Sequence, residues 1–389
     1  MTNRKRFWNL LSFTLFIVGF LVRLFFLPVR TMDMGYYLTW YNHIVSNGVL
    51  HSLSDHFIEY NPPFIYLLSL ATLTKSFLPR IWAIKFIPIT FDIINTGLVF
   101  QITKTYFDDV SKSIRAALIF WAAPTIMINS SVWGQTDSLY ACFLLLAFLF
   151  LLKDRPAVAM IAFALSISIK AQGIFMAPFL AILFLKKQIK WYTFLLIPPV
   201  YALPFLPAIL AGRPINILFS TYMAQGETFL LPSMNAATLY FFLPQSAYPA
   251  SLQIGIPLAS LILFVWVLVY GLKHYELTKT ILATTALVAT AFTPFLLPKM
   301  HDRYFYAADI FSIVLAVTTP KMWFLAAAYQ VISLLSYTPY LFGINPESTL
   351  PTAVIVNTIT LGFLLWKQWN MIANPKTSLM RPDNTSLQS

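Results

Sequence analysis

The chain has 389 residues, of which 58% are hydrophobic and only 10% charged, with 35 phenylalanines and a formal net charge of +12. A water-soluble chain of this size has no way to bury so much apolar surface, so lipid must solvate it, and without a large polar stretch there is no appended soluble domain. The positive excess reads as membrane topology rather than nucleic-acid binding, and a single cysteine, Cys142 in an apolar stretch, excludes a disulfide framework or a Cys-based zinc site.

In chain order, apolar stretches at 7–28, 81–103, 113–130, 137–152, 156–170, 171–186, 191–211, 253–272, 276–297, 304–318, 322–340 and 350–369 predict about twelve membrane spans. Arg4, Lys5 and Arg6 precede the first, and no small-residue cleavage site follows, so it reads as an uncleaved span with a cytoplasmic N-terminus. The basic groups Lys104/Lys112/Arg115, Lys153/Arg155 and Lys186-Lys187-Gln188-Ile189-Lys190 agree with that orientation only if the apolar stretch 63–78 does not cross. Pro62-Pro63 and Pro79 bracket it, so it is expected to lie along the surface within a first outer loop, 29–80. The expectation is one integral membrane domain, 1–389, all-α and polytopic. It has a second long outer loop at 212–252 that reads as a lid or acceptor-binding segment, and a cytoplasmic tail at 370–389. Both termini then lie inside, with the plasma membrane as the location.

Charges that this topology leaves on the outer face are the functional candidates. Asp33, just beyond the first span, is a carboxylate in a chain with only 14 acids, placed where a general base would meet a substrate arriving through lipid. The same loop carries His43, His51, His56, Asp55 and Glu59-Tyr60-Asn61-Pro62-Pro63. Its histidines match no zinc spacing and suit an ordinary solvated loop better, while a looser divalent site with Asp33 or Glu59 stays open. Asn129 to Asp137 contains Trp133, Gln135 and Asp137, a set suited to a sugar, with an interfacial aromatic and a polar turn as the plainer alternative. Lys299 and Arg303 share a face if their segment is helical, and Lys299, His301 and Arg303 all point one way if it is extended; either gathers cations as a phosphate requires. Lys170 either joins that phosphate or snorkels, as Arg80 and Lys85 would. Asp92, inside a span, is either functional or satisfied by a neighbouring helix. No phosphate loop, dinucleotide fingerprint or kinase signature is present, so an activated donor would come from the membrane.

Taken in order, several elements resemble the GT-C superfamily of polytopic glycosyltransferases. They are the acid after the first span, the Pro-Pro element, Trp133-Gly134-Gln135-Thr136-Asp137, Lys170-Ala171-Gln172 and Lys299-Met300-His301-Asp302-Arg303-Tyr304. Within it they resemble the bacterial and archaeal proteins related to the mannosyltransferase of glycosylphosphatidylinositol assembly. That resemblance implies surface-lying helices in the first outer loop and transfer of a hexose, mannose by analogy, from a polyprenyl-phosphate-linked donor to a glycan, lipid or protein acceptor. It implies Asp33 as catalytic base. Lys299, His301, Arg303 and Lys170 would hold the donor phosphate, and Trp133, Gln135, Asp137, Glu59 and Tyr60 the sugar or acceptor. Many relatives carry paired acids in the first loop, whereas Asp33 is followed by Met34-Gly35, which puts an Mg or Mn role in doubt. A transporter or flippase for a lipid-linked or anionic substrate is the main rival, although no internal repeat is visible. A polyprenyl-phosphate hydrolase is a third reading, without a nucleophile to carry it.

Overall fold

The computed structural model describes residues 3–373, leaving out the side chains of 3–9 and 225–227. The side chains of Arg4, Lys5, Arg6 and Glu227, together with Lys376, Arg381 and most of the 370–389 tail, therefore lie outside the described residues. Eighteen α-helices form most of the described residues, with short 3-10 and π segments between them. The first nine are α1 (Asn3–Phe25), α2 (Met32–Asn47), α3 (Val49–Ser54), α4 (Pro62–Thr72), α5 (Arg80–Phe107), α6 (Val110–Trp121), α7 (Pro124–Met127), α8 (Asp137–Leu152) and α9 (Pro156–Ile169). The others are α10 (Ala177–Leu185), α11 (Ile197–Ala202), α12 (Leu206–Leu210), α13 (Ile217–Glu227), α14 (Tyr248–Leu272), α15 (Lys279–Leu296), α16 (Tyr306–Thr318), α17 (Trp323–Phe342) and α18 (Pro346–Ala373).

Five helical stretches are long and apolar enough to cross a membrane: 80–107, 191–210, 245–272, 279–296 and 346–373. A sixth appears if 110–121 and 124–133 count as one span bent by 54° at Ala122-Ala123-Pro124. Pro124 ends the ladder there, since it brings no N–H and disfavours helix in the residue before it. The 191–210 stretch bends through short 3-10 and α pieces around its prolines for the same reason. The remaining apolar helices, including α8, α9 and α16, are 13 to 16 residues long. At 1.5 Å per residue they reach only about 20–24 Å. The protein is thus an all-α membrane protein by its helices. α4 covers only the first part of the apolar stretch 63–78 and, at 11 residues, reaches about 16 Å, half the hydrocarbon thickness.

α8 is apolar on every side and buried along its length, and it anchors the main core with α9, α10, α15 and α16. A second, smaller core gathers α2, α4 and the start of α5 through Met34, Tyr37, Trp40, Ile65, Leu68 and Ile84. α14 instead turns Ile254, Leu258, Leu261 and Phe264 outward, each more than half exposed, as a lipid-facing helix does.

Inside this apolar body one pair of opposite charges joins two helices, while buried Asp309 of α16 is held by the Ser333 hydroxyl at 2.8 Å. Arg23 of α1, fully buried, donates from Nε to Asp92 Oδ2 (3.2 Å) and from NH2 to the Trp121 carbonyl (2.9 Å). Its guanidinium lies 3.5 Å from the Trp121 ring centroid. Ser130 donates to the same Asp92 oxygen at 2.6 Å. The acid in the span is thus held by a neighbouring helix, and Gly19 permits it: a Cβ there would meet Trp121 Nε1 at 2.2 Å.

Arg23→Met, which leaves Asp92 buried without its cation, is expected to cost about 3–5 kcal/mol, while Arg23→Met with Asp92→Leu recovers most of that. Chemical unfolding in mixed micelles measures it. A double variant as unstable as the single one would refute the assignment of the loss to an orphaned charge.

Candidate functional site

Asp33 stands in the first turn of α2, behind the extended residue Thr31, where the helix's unpaired N–H groups favour a carboxylate. Asp137 occupies the equivalent place in α8. Between them in sequence, residues Ile128–Trp133 wind as a π-helix, a widened turn that re-aims side chains. It ends at Gly134, whose φ of +80° puts it in the left-handed region. A Cβ at Gly134 would also strike Met34 Cε at 2.5 Å, so only glycine lets the 134–136 turn close over α2.

Asp33 Oδ2 accepts a hydrogen bond from the Trp133 indole (2.9 Å) and another from the Gln135 side-chain amide. Oδ1 is the oxygen that neither of these donors occupies. The Asp33 backbone N–H donates to the Tyr340 hydroxyl at 2.8 Å. Tyr37, one turn along α2, donates to Gln135 Oε1 (3.2 Å) and shares a hydrogen bond with Tyr60 (3.0 Å). Asp137 is the second hub: Lys170 Nζ lies 2.6 Å from Oδ1, Asn129 Nδ2 2.8 Å from Oδ2, and Arg303 Nε 3.8 Å from Oδ2. The Arg303 guanidinium sits 5.5 Å from the Trp133 ring centroid and 3.7 Å from Asp302 Oδ1. Stretches more than 250 residues apart in sequence thus meet at one place.

Lys85 holds this assembly from behind. It does not snorkel: it is fully buried, and its Nζ donates to the carbonyls of Phe26 (3.1 Å), Val29 (2.6 Å), Ser131 (2.7 Å) and Val132 (3.0 Å). The first two lead to Asp33 and the last two to Trp133. Arg80, exposed, bonds Asn42 at 2.8 Å.

Several expected roles change. Trp133 is fully buried, with Tyr340 stacked on it at 4.7 Å and Arg303 over its ring, so its faces are not a platform for a sugar. Trp133 and Gln135 instead orient Asp33. Lys170 spends its charge on Asp137, with Tyr60 under the ammonium at 5.3 Å. Glu59 is exposed.

The 299–303 segment is neither the helix nor the uninterrupted strand that would align its cations. Lys299 has φ +63° and its Nζ donates to the Tyr248 hydroxyl at 2.8 Å. Met300–His301 then pair in parallel with Ser233–Met234 of the 212–252 segment, so that long segment clips onto the site's edge. Burial, then the charges of Arg303, Lys170 and Lys299, hold the His301 imidazole down to about 3, so it faces a ligand as a neutral ring and not a third cation. Burial pushes the Asp302 carboxyl up to about 7, against the pull of Arg303.

Among the described residues no group of three or more His, Cys, Asp or Glu side chains is arranged to hold a metal ion. Asp33 Oδ2 is occupied by two N–H donors, Trp133 and Gln135, which favour the ionised carboxylate. Tyr37, Tyr340, Asn129, Asp302 and Lys85 complete the site, and nothing in their sequence spacing marks Tyr340, about 300 residues from Asp33, as its neighbour. No protein-family model matches the chain, and no curated protein matches it.

The chemistry available is that of a carboxylate whose Oδ2 is held by two donors, an arginine with partly exposed side chain over the same Trp133 ring, and a neutral imidazole two residues before that arginine. His301 also gives the site a pH signature. Unfolded, the ring titrates near 6.5; folded, it stays neutral to about 3. Below 6.5 the unfolded chain takes up a proton that the folded one refuses, so this contribution is complete above pH 6.5 and is lost as pH falls toward 3. Removing it in His301→Gln should make wild type lose stability relative to the variant by up to about 1.4 kcal/mol per pH unit below pH 6.5. Unfolding measured from pH 4 to 8 tests this, and a difference independent of pH would contradict it.

Proposed function

We propose that the protein is a membrane glycosyltransferase of GT-C type, moving a hexose, mannose by resemblance, from a polyprenyl-phosphate donor to an acceptor hydroxyl at the outer membrane face. The observation that carries this reading is the Asp33 carboxylate, fixed by Trp133 and Gln135 next to Arg303. The reading takes the shorter apolar helices as spans buried among longer neighbours, for about twelve crossings with both termini inside, in the plasma membrane. α2, α3 and α4 then lie at the outer surface.

In this mechanism the acceptor hydroxyl approaches Asp33 Oδ1 and gives up its proton as its oxygen attacks the anomeric carbon. The bond from that carbon to the phosphate oxygen breaks, and the polyprenyl phosphate departs with the electron pair. Charge grows on the departing phosphate, where Arg303 and Lys299 are placed to stabilise it, the contribution that usually dominates such a step. Attack opposite the phosphate inverts the anomeric centre. Indole and amide donors on Oδ2 keep the base in one orientation, leaving Oδ1 to take the proton. Lys170, paired with Asp137, holds Arg303 in place through that shared carboxylate. A divalent cation in this scheme would arrive with the phosphate.

The experiment is sugar transfer from synthetic polyprenyl-phosphate mannose to membrane-extract acceptors by purified wild type, Asp33→Asn and Arg303→Ala. Loss of the base should lower the rate about 10²–10⁴-fold. Loss of the arginine should lower it about 10²–10³-fold, the equivalent of about 2.7–4 kcal/mol in the barrier. Transfer at the wild-type rate by Asp33→Asn would overturn the mechanism. A wild type that does not bind the donor would favour the transporter reading.

A further inference from the structure

At the end of α9 opposite Lys170, a cleft of about 420 Å³ is lined by Arg155, Lys187, Gln188, Lys190, Tyr192 and Thr193. α9 has 14 residues, so about 21 Å separates this cleft from the site around Asp137. Arg155, Lys187 and Lys190 are all exposed, and among the described residues none of them forms an ion pair. No carboxylate lines the cleft; Asp154 lines an adjoining cavity of about 190 Å³ that shares Pro156 and Gln188 with it.

The cations are held in place by the fold. α10 ends in a reversing turn, with the N–H groups of Lys186, Lys187 and Gln188 donating to Ile182, Phe184 and Leu183 at 2.8–2.9 Å and Lys187 at φ +59°. Ile189 is buried beneath this turn, and the Thr193 hydroxyl donates to the Lys190 carbonyl at 2.7 Å. Three like charges around one cleft raise a positive potential that favours an anion. Orientation bias explains why cations collect at one end of a bundle. It does not explain a cleft that gathers three of them without an acid.

The far wall shows which anion. The 191–210 helix is strongly apolar, and only 17% of its apolar window is buried. It begins with Trp191, 65% exposed, and carries Leu195, 61% exposed, on its outer surface. Tryptophan and tyrosine at the start of a lipid-exposed helix mark the level of the headgroups, so the cleft opens where a lipid phosphate lies. We propose that this cleft binds the phosphate headgroup of an acidic glycerophospholipid, with Arg155, Lys187 and Lys190 on the headgroup and Trp191 and Leu195 against the acyl chains.

The test uses the full chain in maltoside micelles doped with phosphatidylglycerol or phosphatidylcholine, counting retained lipid by native mass spectrometry. Wild type should retain phosphatidylglycerol over phosphatidylcholine. The Arg155→Gln/Lys187→Gln/Lys190→Gln variant should bind it roughly 100-fold more weakly, at about 1 kcal/mol per cation. A control with the same loss of charge at the exposed Lys104, Lys112 and Lys321, each changed to Gln, should bind as wild type does. Thermal midpoints in phosphatidylcholine alone check that all three proteins are folded. Equal retention by wild type and the cleft variant, or equal loss in the control, would overturn the proposal. Displacement of the lipid by millimolar inorganic phosphate would overturn it as well, since the cleft would then be a free-anion site.

Discussion

The arrangement depends first on one ammonium group. Lys85 Nζ is surrounded by four backbone carbonyls, two from the stretch between α1 and α2 and two from the π-helix. A π-turn leaves carbonyls without their usual helical partners, and in an apolar interior such groups are costly to leave unpaired. A lysine offers three N–H donors on a long flexible stem and satisfies several carbonyls at once. The same bonds fix the distance between the backbone that carries Asp33 and the backbone that carries Trp133 and Gln135. Asp33 then bonds both of those side chains. A clamp made by neutral side chains would need several residues, each with its own desolvation cost.

A second constraint is electrostatic neutrality inside lipid. Arg23 meets Asp92, and Lys170 meets Asp137, each pair buried on both sides. Such pairs give little net stability, yet breaking one is costly, so each fixes the helices that bear its partners. Arg23 joins α1 to α5, while the Asp137 hub joins α8 to the end of α9 and the turn before α16. The site is therefore a convergence of helix ends, and its acids stand in first turns because exposed N–H groups there stabilise carboxylates. At the other end of α9 the balance is reversed: three cations line a cleft whose lining holds no acid.

Much of the architecture could be read from composition. Long apolar runs fixed the all-α class, the prolines at 62–63 and 79 marked where helices start, and the scarcity of carboxylates singled out Asp33, whereas the break at Pro124 falls inside the expected span 113–130. Periodicity and composition work for helices because the hydrogen bonds are local and the solvent is uniform. The readings that fell short concern where side chains point. Trp133 looks like a sugar platform in a line of sequence, but Tyr340 and Arg303 cover its ring. Lys85 looks like an interfacial lysine because its acceptors are backbone carbonyls, which leave no mark on residue identity. The alignment of Lys299, His301 and Arg303 fails because Lys299 takes a left-handed conformation and the next two residues pair with the 233–234 strand.

By itself, then, the sequence determined that this chain folds as apolar helices in lipid, and which few charged residues lack a topological reason to be where they are. Both follow from the free energy of placing each residue in hydrocarbon or water, a property of one residue and its near neighbours. Only the tertiary structure decided the partners. Asp33 lies 100 residues from Trp133 and Asp137 lies 33 from Lys170, while the Tyr340 hydroxyl reaches back 307 residues to Asp33. It also decided that His301 is a neutral ring, because burial and the three cations around it exist only once the helices have packed. Contacts between distant segments are set by how whole helices fit together, and no local pattern carries that information.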